Sequence, residues 1–182
     1  MASLIPAAGS TGSGSLTLQG PSTSSNQTVT IPDATGTMMV SGNMPAFSAY
    51  QATQQTGISA TTWTKITFDT KVFDTNSNFS SSRFTPTVAG YYQVNGSIQL
   101  TGANAAYYVA GAFYKNGSSY AQFTLANGNT NYYCQSTGSS VIYFNGTTDY
   151  VEVYAFGTAL GSWSAYNTQT GTYFNACLLR AA

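Results

Sequence analysis

The sequence predicts an all-β fold, a β-sandwich or jelly roll built from short antiparallel strands. The first observation is the strict alternation from Gly90 to Leu100, which separates an apolar face from a polar one. Tyr92, Val94, Gly96, Ile98 and Leu100 form the apolar face, and Tyr91, Gln93, Asn95, Ser97 and Gln99 form the polar face. The second is a set of Asn-Gly turns between apolar segments. The third is that no segment keeps a helical apolar period over three turns, so a sandwich is favoured.

The strands follow in order from residue 45. We expect them near 45–51, 62–69, 82–86, 90–101, 106–115, 118–125, 131–136, 138–145, 149–156 and 171–180. Tight turns are predicted at Lys115-Asn116-Gly117, at 126–129 and at 144–147, because Asn-Gly supplies the positive backbone angles that hairpins require. A core built from these strands suffices for one domain, since a chain of about 140 residues buries roughly two-thirds of its unfolded surface.

Residues 1–44 differ in composition and are expected to form an N-terminal arm, with the head spanning 45–182. Gly, Ser, Thr and Pro dominate the arm, but two alternating runs each offer two aliphatic side chains, Leu16 with Leu18 and Val29 with Ile31. A lone hairpin is marginal in water, so these four side chains need a core from other copies of the chain or from another protein. A disordered linker is the alternative that this composition also allows.

Charged residues make up only 5% of the chain, against about 25% in ordinary soluble proteins. The five cations, Lys65, Lys71, Arg83, Lys115 and Arg180, are scattered, whereas nucleic-acid binding needs clustered positive charge. No apolar run approaches the roughly 20 residues that cross a bilayer. Neither a nucleic-acid nor a membrane partner is therefore expected. A surface with so little charge repulsion permits close association with copies of itself or with a larger particle.

No catalytic, metal or cofactor site is predicted. The chain has no His, which removes the commonest general base and the preferred transition-metal ligand. Asp149 and Glu152 stand three apart on a predicted strand and so face opposite sides. Asp69 and Asp74 flank a turn beside Lys71, where carboxylates are usually solvated. We therefore expect a protein that is not an enzyme.

Cys134 and Cys177 can form one bridge or remain free. The segment from Met1 to Pro6 lacks the cationic and apolar regions of a secretory signal, which suggests a reducing folding compartment. Free thiols are therefore the expectation.

The chain is rich in aromatic residues, with 14 Tyr, 10 Phe and 2 Trp. We expect most of them in the core or between subunits, where they contribute large apolar area, and name Tyr92, Phe113, Tyr154 and Phe174 for those places. A sugar-stacking role is the alternative for the pairs Tyr107-Tyr108 and Tyr132-Tyr133 and for Trp163 and Tyr166. Trp163 and Tyr166 are the best surface candidates, since they fall in a polar loop predicted from 157 to 170.

Several segments resemble the trimeric jelly roll of the complement globular-head and tumour-necrosis-factor families. Phe84, Pro86, Gly90, Tyr92 and Val94 resemble the family's turn and strand pattern. The segments 45–49, 66–69 with 72–76, and 112–117, with its Lys-Asn-Gly hairpin, resemble further family strands, and 172–179 resembles the closing strand, with Ala176 where the family usually has Gly. The resemblance implies a jelly-roll head and a homotrimer.

The arm contains the phrases Leu-Thr-Leu-Gln-Gly-Pro and Thr-Val-Thr-Ile-Pro-Asp-Ala-Thr-Gly-Thr, which resemble segments before the heads of bacteriophage fibre and virion-surface proteins. The expectation is a homotrimeric capsid decoration protein on the virion surface, assembled in the host bacterial cytoplasm. Its arm would contact the major capsid protein or another virion protein. A receptor-binding fibre tip that recognises a host surface glycan is the alternative, and a secreted complement-like binding module is a third.

Overall fold

Two curled antiparallel sheets face each other in the computed structural model of the chain. The structure describes Met39, Gly42 and residues 44–101, 108–127, 133–158 and 162–182. The predicted arm strands, with Leu16, Leu18, Val29 and Ile31, lie outside the described residues. Within the described ranges there is no α-helix, and none of their elements is a helix long and apolar enough to cross a membrane.

In the part of the chain that the structure describes, fourteen strands make up the two sheets. In chain order they are β1 Ala46–Tyr50, β2 Gln55–Ser59, β3 Thr64–Lys65, β4 Thr70–Asp74, β5 Phe79–Ser80, β6 Arg83–Phe84, β7 Gly90–Thr101, β8 Tyr108–Lys115, β9 Ser118–Gln122, β10 Ala126–Asn127, β11 Cys134–Phe144, β12 Val151–Gly157, β13 Ser162–Ala165 and β14 Tyr173–Ala181. The predicted all-β jelly roll is confirmed.

Sheet A is organised around β7. Tyr92 pairs with Ile142 of β11 and with Leu178 of β14, so these two strands flank β7 on opposite sides. β1 and then β4 continue the sheet beyond β14. Near the end of β7, Leu100 and Thr101 also pair with β13, which in turn pairs with β2.

Sheet B is organised around the antiparallel pair of β8 and β12. β9 and β10 pair with β8, and β3 and β6 pair with β12. β5 adds to β6 at the edge. β8 and β9 are joined at Asn116 and Gly117, whose φ angles of 52° and 81° are the positive values expected of an Asn-Gly turn.

The core between the sheets is aromatic. Tyr92, Val94, Ile98 and Leu100 of β7 are fully buried, as the alternation predicts. Phe47 lies at the centre of a cluster, with ring centroids 4.6 Å from Phe79, 4.5 Å from Phe84 and 4.9 Å from Phe174. Stacked and edge-to-face contacts of this kind add to the stabilisation that burial alone supplies. In the strands that alternate, such as β7 and β12, these contacts fix which residues face outward.

The strand bounds differ from the predicted ones where pairing, rather than local pattern, decides them. Cys134–Phe144 forms one strand, β11, where two strands are predicted on either side of Thr137, because Thr137 and Gly138 stay in register with Ser97 and Gly96. β2, β4, β5, β10 and β13 correspond to no predicted strand, and β10 lies where a turn is predicted. β4 shows no alternation, since Val72 and Phe73 are both exposed in this edge strand.

Three glycines admit the Phe123 ring between the sheets. Gly96 and Gly138 pair directly across β7 and β11, and Gly111 lies on β8. A methyl group added at Gly111 or Gly138 would overlap the Phe123 ring, and one at Gly96 would lie 2.7 Å from its Cζ atom. Phe123 is buried and stacks edge-on against Phe113 at 4.6 Å. The absence of side chains at these positions thus lets an aromatic ring close one edge of the sandwich.

We expect Gly138→Ala to lower the free energy of unfolding by about 1–3 kcal/mol, because the added methyl displaces Phe123. Urea denaturation measures the change. Gly42→Ala is the matched control and should be nearly neutral, since no atom lies within 4 Å of the position its Cβ would take. A Gly138→Ala protein as stable as the control would show that Phe123 does not depend on this space.

Candidate functional site: the outer faces of the two sheets

On the outward side of sheet A, the central parts of β7, β11 and β14 form a surface of uncharged amides and hydroxyls, here called the amide face. Gln93 Nε2 donates to Ser139 Oγ at 2.5 Å, and Ser139 Oγ donates to Asn95 Oδ1 at 2.8 Å. Asn95 Nδ2 then donates to Asn175 Oδ1 at 2.9 Å, so the network crosses three strands. Side chains tied together in this way lose little further rotamer freedom when another surface covers them.

One end of the amide face carries exposed apolar side chains beside Arg180, which pairs with Tyr91. Tyr91, Val141, Tyr143 and Leu179 are 46%, 49%, 41% and 55% exposed. The register sets Tyr143 opposite Tyr91, with ring centroids 5.4 Å apart, and Val141 opposite Gln93. Contiguous exposed apolar side chains of this kind mark interaction surfaces. We call this group the apolar end.

A cavity of about 590 Å³ opens on the amide face beside the edge strand β11. Asn95, Ser139 and Asn175 of the hydrogen-bonded network line it, together with Tyr173 and Phe123. Its lining is polar around an aromatic floor and carries no charged residue. The cavity suits an uncharged side chain from a surface that packs on this face.

The outward side of sheet B carries a continuous row of aromatic rings, here called the aromatic strip. It is formed by Tyr108, Phe156, Trp63, Tyr114 and Tyr154. Successive ring centroids are 6.0 Å apart from Tyr108 to Phe156, 5.2 Å from Phe156 to Trp63, 5.9 Å from Trp63 to Tyr114 and 4.1 Å from Tyr114 to Tyr154. Ala110 and Ala112 lie between these rings on β8 and are buried. All five aromatic residues keep part of their surface exposed.

The aromatic strip ends in a cluster of charges. Glu152, only 3% exposed, accepts from Lys65 Nζ at 2.6 Å and from Arg83 Nε at 2.8 Å. Tyr154 Oη lies 3.4 Å from the other Glu152 oxygen, so the strip and the cluster are in contact. The Arg83 guanidinium also stacks on the Tyr150 ring at 3.8 Å. Two cations thus face one carboxylate.

The two cations control the ionisation of Glu152. Burial raises the pKa of its carboxyl, but the hydrogen bonds and charges of Lys65 and Arg83 outweigh burial, and the pKa lies below its ordinary value of 4.5. Glu152 is therefore ionised at neutral pH.

The other described carboxylates bind backbone N–H groups or side chains in loops and turns. Asp69 accepts from the backbone N–H groups of Ala52 and Thr53. Asp74 accepts from the backbone of Asn78 and Phe79. Asp149 binds Lys115 at 3.0 Å and accepts from Asn116 at 2.8 Å, and it shares no partner with Glu152. No group of three or more metal-ligating side chains comes together in the part of the chain that the structure describes.

The predicted surface residues need one correction. Trp163 is 4% exposed, because it lies on β13 opposite Ile58 and faces the core with Ala165. The expectation of an exposed Trp163 in a loop is therefore wrong. Tyr166 is partly exposed, and its ring lies 4.4 Å from that of Tyr133. A recognition role for Tyr166 stays a prediction.

The four aromatic residues named for core or interface positions divide between two places. The structure places Tyr92, Phe113 and Phe174 in the core, whereas Tyr154 belongs to the aromatic strip. The sequence alone does not indicate that Trp63, Tyr114 and Phe156 form a group. A signal existed in β12, where Val151 and Val153 alternate with Glu152 and Tyr154, and the same alternation extends to Phe156. Cys134 is buried and Cys177 exposed, and both are free thiols.

Comparisons with known proteins identify the architecture. No family model matches the chain, and no curated protein matches its sequence. Solved structures do match. The globular domain of the zebrafish complement 1qA protein is 18% identical, with a TM-score of 0.54, over 76% of this chain and 98% of that one. The chain has the jelly-roll fold of complement 1q and tumour-necrosis-factor domains.

Two further structures show the same fold at lower identity. Murine APRIL is 9% identical with a TM-score of 0.52, over 75% of this chain and 99% of that one. The Eiger tumour necrosis factor of S. frugiperda is 9% identical with a TM-score of 0.54, over 76% and 93%. The match to this jelly roll therefore spans nearly the whole of each neighbour's domain. At identities this low, the structural match shows the fold alone. The function must therefore be argued from the two outer faces.

We expect Glu152→Gln to lower the free energy of unfolding at neutral pH by about 1 kcal/mol, since two charge-assisted hydrogen bonds are weakened and both cations are partly solvated. A lowered pKa stabilises the fold above the ordinary value of 4.5 and ceases to do so as pH falls through the folded-state value. The difference between wild type and variant should therefore shrink on acidification. Urea denaturation at neutral and acidic pH measures it, and a difference independent of pH would contradict the assignment.

Proposed function

We propose that the protein is a non-enzymatic structural protein that forms a homotrimeric head on the surface of a bacteriophage virion, as a capsid decoration protein. The amide face with its apolar end is the observation that carries the proposal. The cores of protein interfaces are depleted of charged residues and enriched in aromatic ones. The outward positions of β7 and β11 carry no charged side chain and present Tyr91, Val141 and Tyr143 instead.

The geometry supports packing of one copy against the next through different surfaces. A cyclic trimer needs two complementary patches on each copy, so that the contacts close into a ring. The amide face supplies one patch, and its cavity beside β11 can receive side chains from a neighbouring copy. The number of subunits, three, is inferred from the resemblance to the trimeric jelly-roll families.

The arm supports the virion placement. Its alternating runs, with Leu16, Leu18, Val29 and Ile31, suit addition to the edge of a sheet in another protein, such as the major capsid protein. Three arms on one trimer bind a symmetric particle with avidity, because the second and third contacts form at high effective concentration. Weak individual contacts then hold the head in place.

A non-enzymatic role is supported by the chemistry of the side chains. The chain contains no His, and each of the four described carboxylates is committed to a backbone group or to a cation. None of these acids shares a site with a second acid, as hydrolysis by paired carboxylates requires.

A receptor-binding fibre tip is the second candidate function, and the aromatic strip favours it. The strip lies on sheet B, away from the amide face, and it stays accessible in a trimer whose second contact patch lies outside the strip. A host surface glycan is the partner of this alternative.

We expect the wild-type protein to sediment as a trimer and Asn95→Arg to sediment as a single subunit. The arginine would bring an unpaired charge into each interface, where its desolvation opposes association. Ser119→Arg is the matched control, because it adds the same charge at an exposed position of β9 and should leave the trimer intact. Sedimentation of wild-type protein as a stable single subunit would refute the proposal.

Particle attachment is tested with the same proteins. Removal of residues 1–44 should leave the trimer intact and abolish co-sedimentation with particles that lack the protein. The Asn95→Arg variant should co-sediment more weakly than wild type, because a single arm has no avidity. Attachment that persists without the arm would contradict its anchoring role.

A further inference from the structure

We propose that the aromatic strip and the adjoining Lys65–Arg83 pair form a binding site for a carboxylate-bearing oligosaccharide. The sugar rings stack on the strip, and the carboxylate binds the two cations. The proposal rests on the second candidate function, recognition of a host surface, and names its ligand class. It does not depend on where the protein sits on a virion.

The aromatic strip is suited to stacking against sugar rings. Its five aromatic residues stand on β8, on β12 and immediately before β3, all paired within one sheet, so their positions are rigid. Large aromatic rings with exposed surface present apolar area at small entropic cost. The C–H faces of pyranose rings are apolar and flat, and a row of rings offers successive stacking positions to an extended oligosaccharide. Tyrosine hydroxyls along the row can exchange hydrogen bonds with sugar hydroxyls.

The charge at the end of the strip selects an acidic sugar. Lys65 and Arg83 together carry two positive charges, and Glu152 cancels one of them. Glu152 engages Arg83 through Nε, while the Arg83 side chain remains 43% exposed. A guanidinium edge can therefore accept a carboxylate in the bidentate geometry that arginine favours. A single surplus charge complements a monoanion, whereas a phosphate monoester carries about −1.5 to −2.

A cavity provides room for the acidic group. A depression of about 490 Å³ is lined by Lys65 and Arg83 and by the hydroxyls of Ser80, Ser81 and Thr85, among others. Hydroxyls can donate to a carboxylate or accept from a sugar hydroxyl. Lys65 Nζ also donates to the Ser81 carbonyl at 2.9 Å, which fixes the ammonium at the rim. Cations, hydroxyls and stacking rings thus adjoin one another on one surface.

Calorimetric titration with a short oligogalacturonate, and separately with sialyllactose, tests the site. The methyl ester of the same oligogalacturonate is the uncharged control ligand. We expect at least one acidic probe to bind at millimolar concentration or below, and the ester to bind about tenfold more weakly than the acid, because a charge-assisted contact is lost. Arg83→Gln should weaken the binding of the acid about tenfold and leave the binding of the ester unchanged. Added salt should weaken the binding of the acid and leave the binding of the ester unchanged.

Substitutions in the strip separate stacking from charge. Tyr114→Ala and Tyr154→Ala should weaken both the acid and the ester, and Trp63→Ala provides a second measurement if either variant fails to fold. Phe73→Ala is the matched control, because Phe73 is an exposed aromatic residue on β4 of the other sheet, and this variant should bind normally. Failure of both acidic probes to bind, or loss of binding in Phe73→Ala alone, would overturn the proposal. Sedimentation of each variant as a trimer shows that a loss of sugar binding is distinct from a failure to assemble.

Discussion

The aromatic contact between the two sheets is the constraint on which the rest of the molecule depends. Phe47, Phe79, Phe84 and Phe174 pack around one another, and Phe123 enters through the space that three glycines leave. Because side chains alternate along a strand, fixing the inner residues also fixes the outer ones. A slip of one residue in β12 would turn Glu152 away from its two cations into the core between the sheets and would turn Val151 and Val153 outward. The composition of each outer face is therefore a consequence of the core.

The two outer faces differ in chemistry although they belong to one small domain. Sheet A presents hydrogen-bonded amides that end in exposed apolar side chains, and sheet B presents aromatic rings that end in a charge cluster. Of the five cations, Lys65 and Arg83 meet at one carboxylate, while Lys71 and Lys115 each bind an acid of their own. In a chain with so little charge, this placement gives one location an excess of positive charge. The fifth cation, Arg180, pairs with Tyr91 at the apolar end of sheet A. The uncharged centre of the amide face suits association between copies, and an aromatic face beside two cations suits recognition of a ligand.

Local pattern was enough to predict some of these features. β7 was predicted from residue 90 to residue 101, and the outward direction of Glu152 and Tyr154 followed from alternation in β12. Trp63 could not be assigned to the aromatic strip, because only the pairing of β3 with β12 brings it beside Phe156. Local pattern does not predict the burial of Trp163, because that burial depends on pairing with Ile58, more than a hundred residues earlier in the chain. The rest of the site thus depends on contacts between distant segments, which no local periodicity encodes.

The central claim is that copies associate through the amide face and leave the aromatic strip free. Iodination of tyrosines in the intact assembly, read by mass spectrometry, tests it most directly. In a single subunit Tyr91 and Tyr143 are 46% and 41% exposed, and Tyr108 of the strip is 39% exposed. The account predicts that Tyr91 and Tyr143 react much more slowly than Tyr108 in the assembly. Equal rates, or a protected Tyr108 beside reactive Tyr91 and Tyr143, would contradict it.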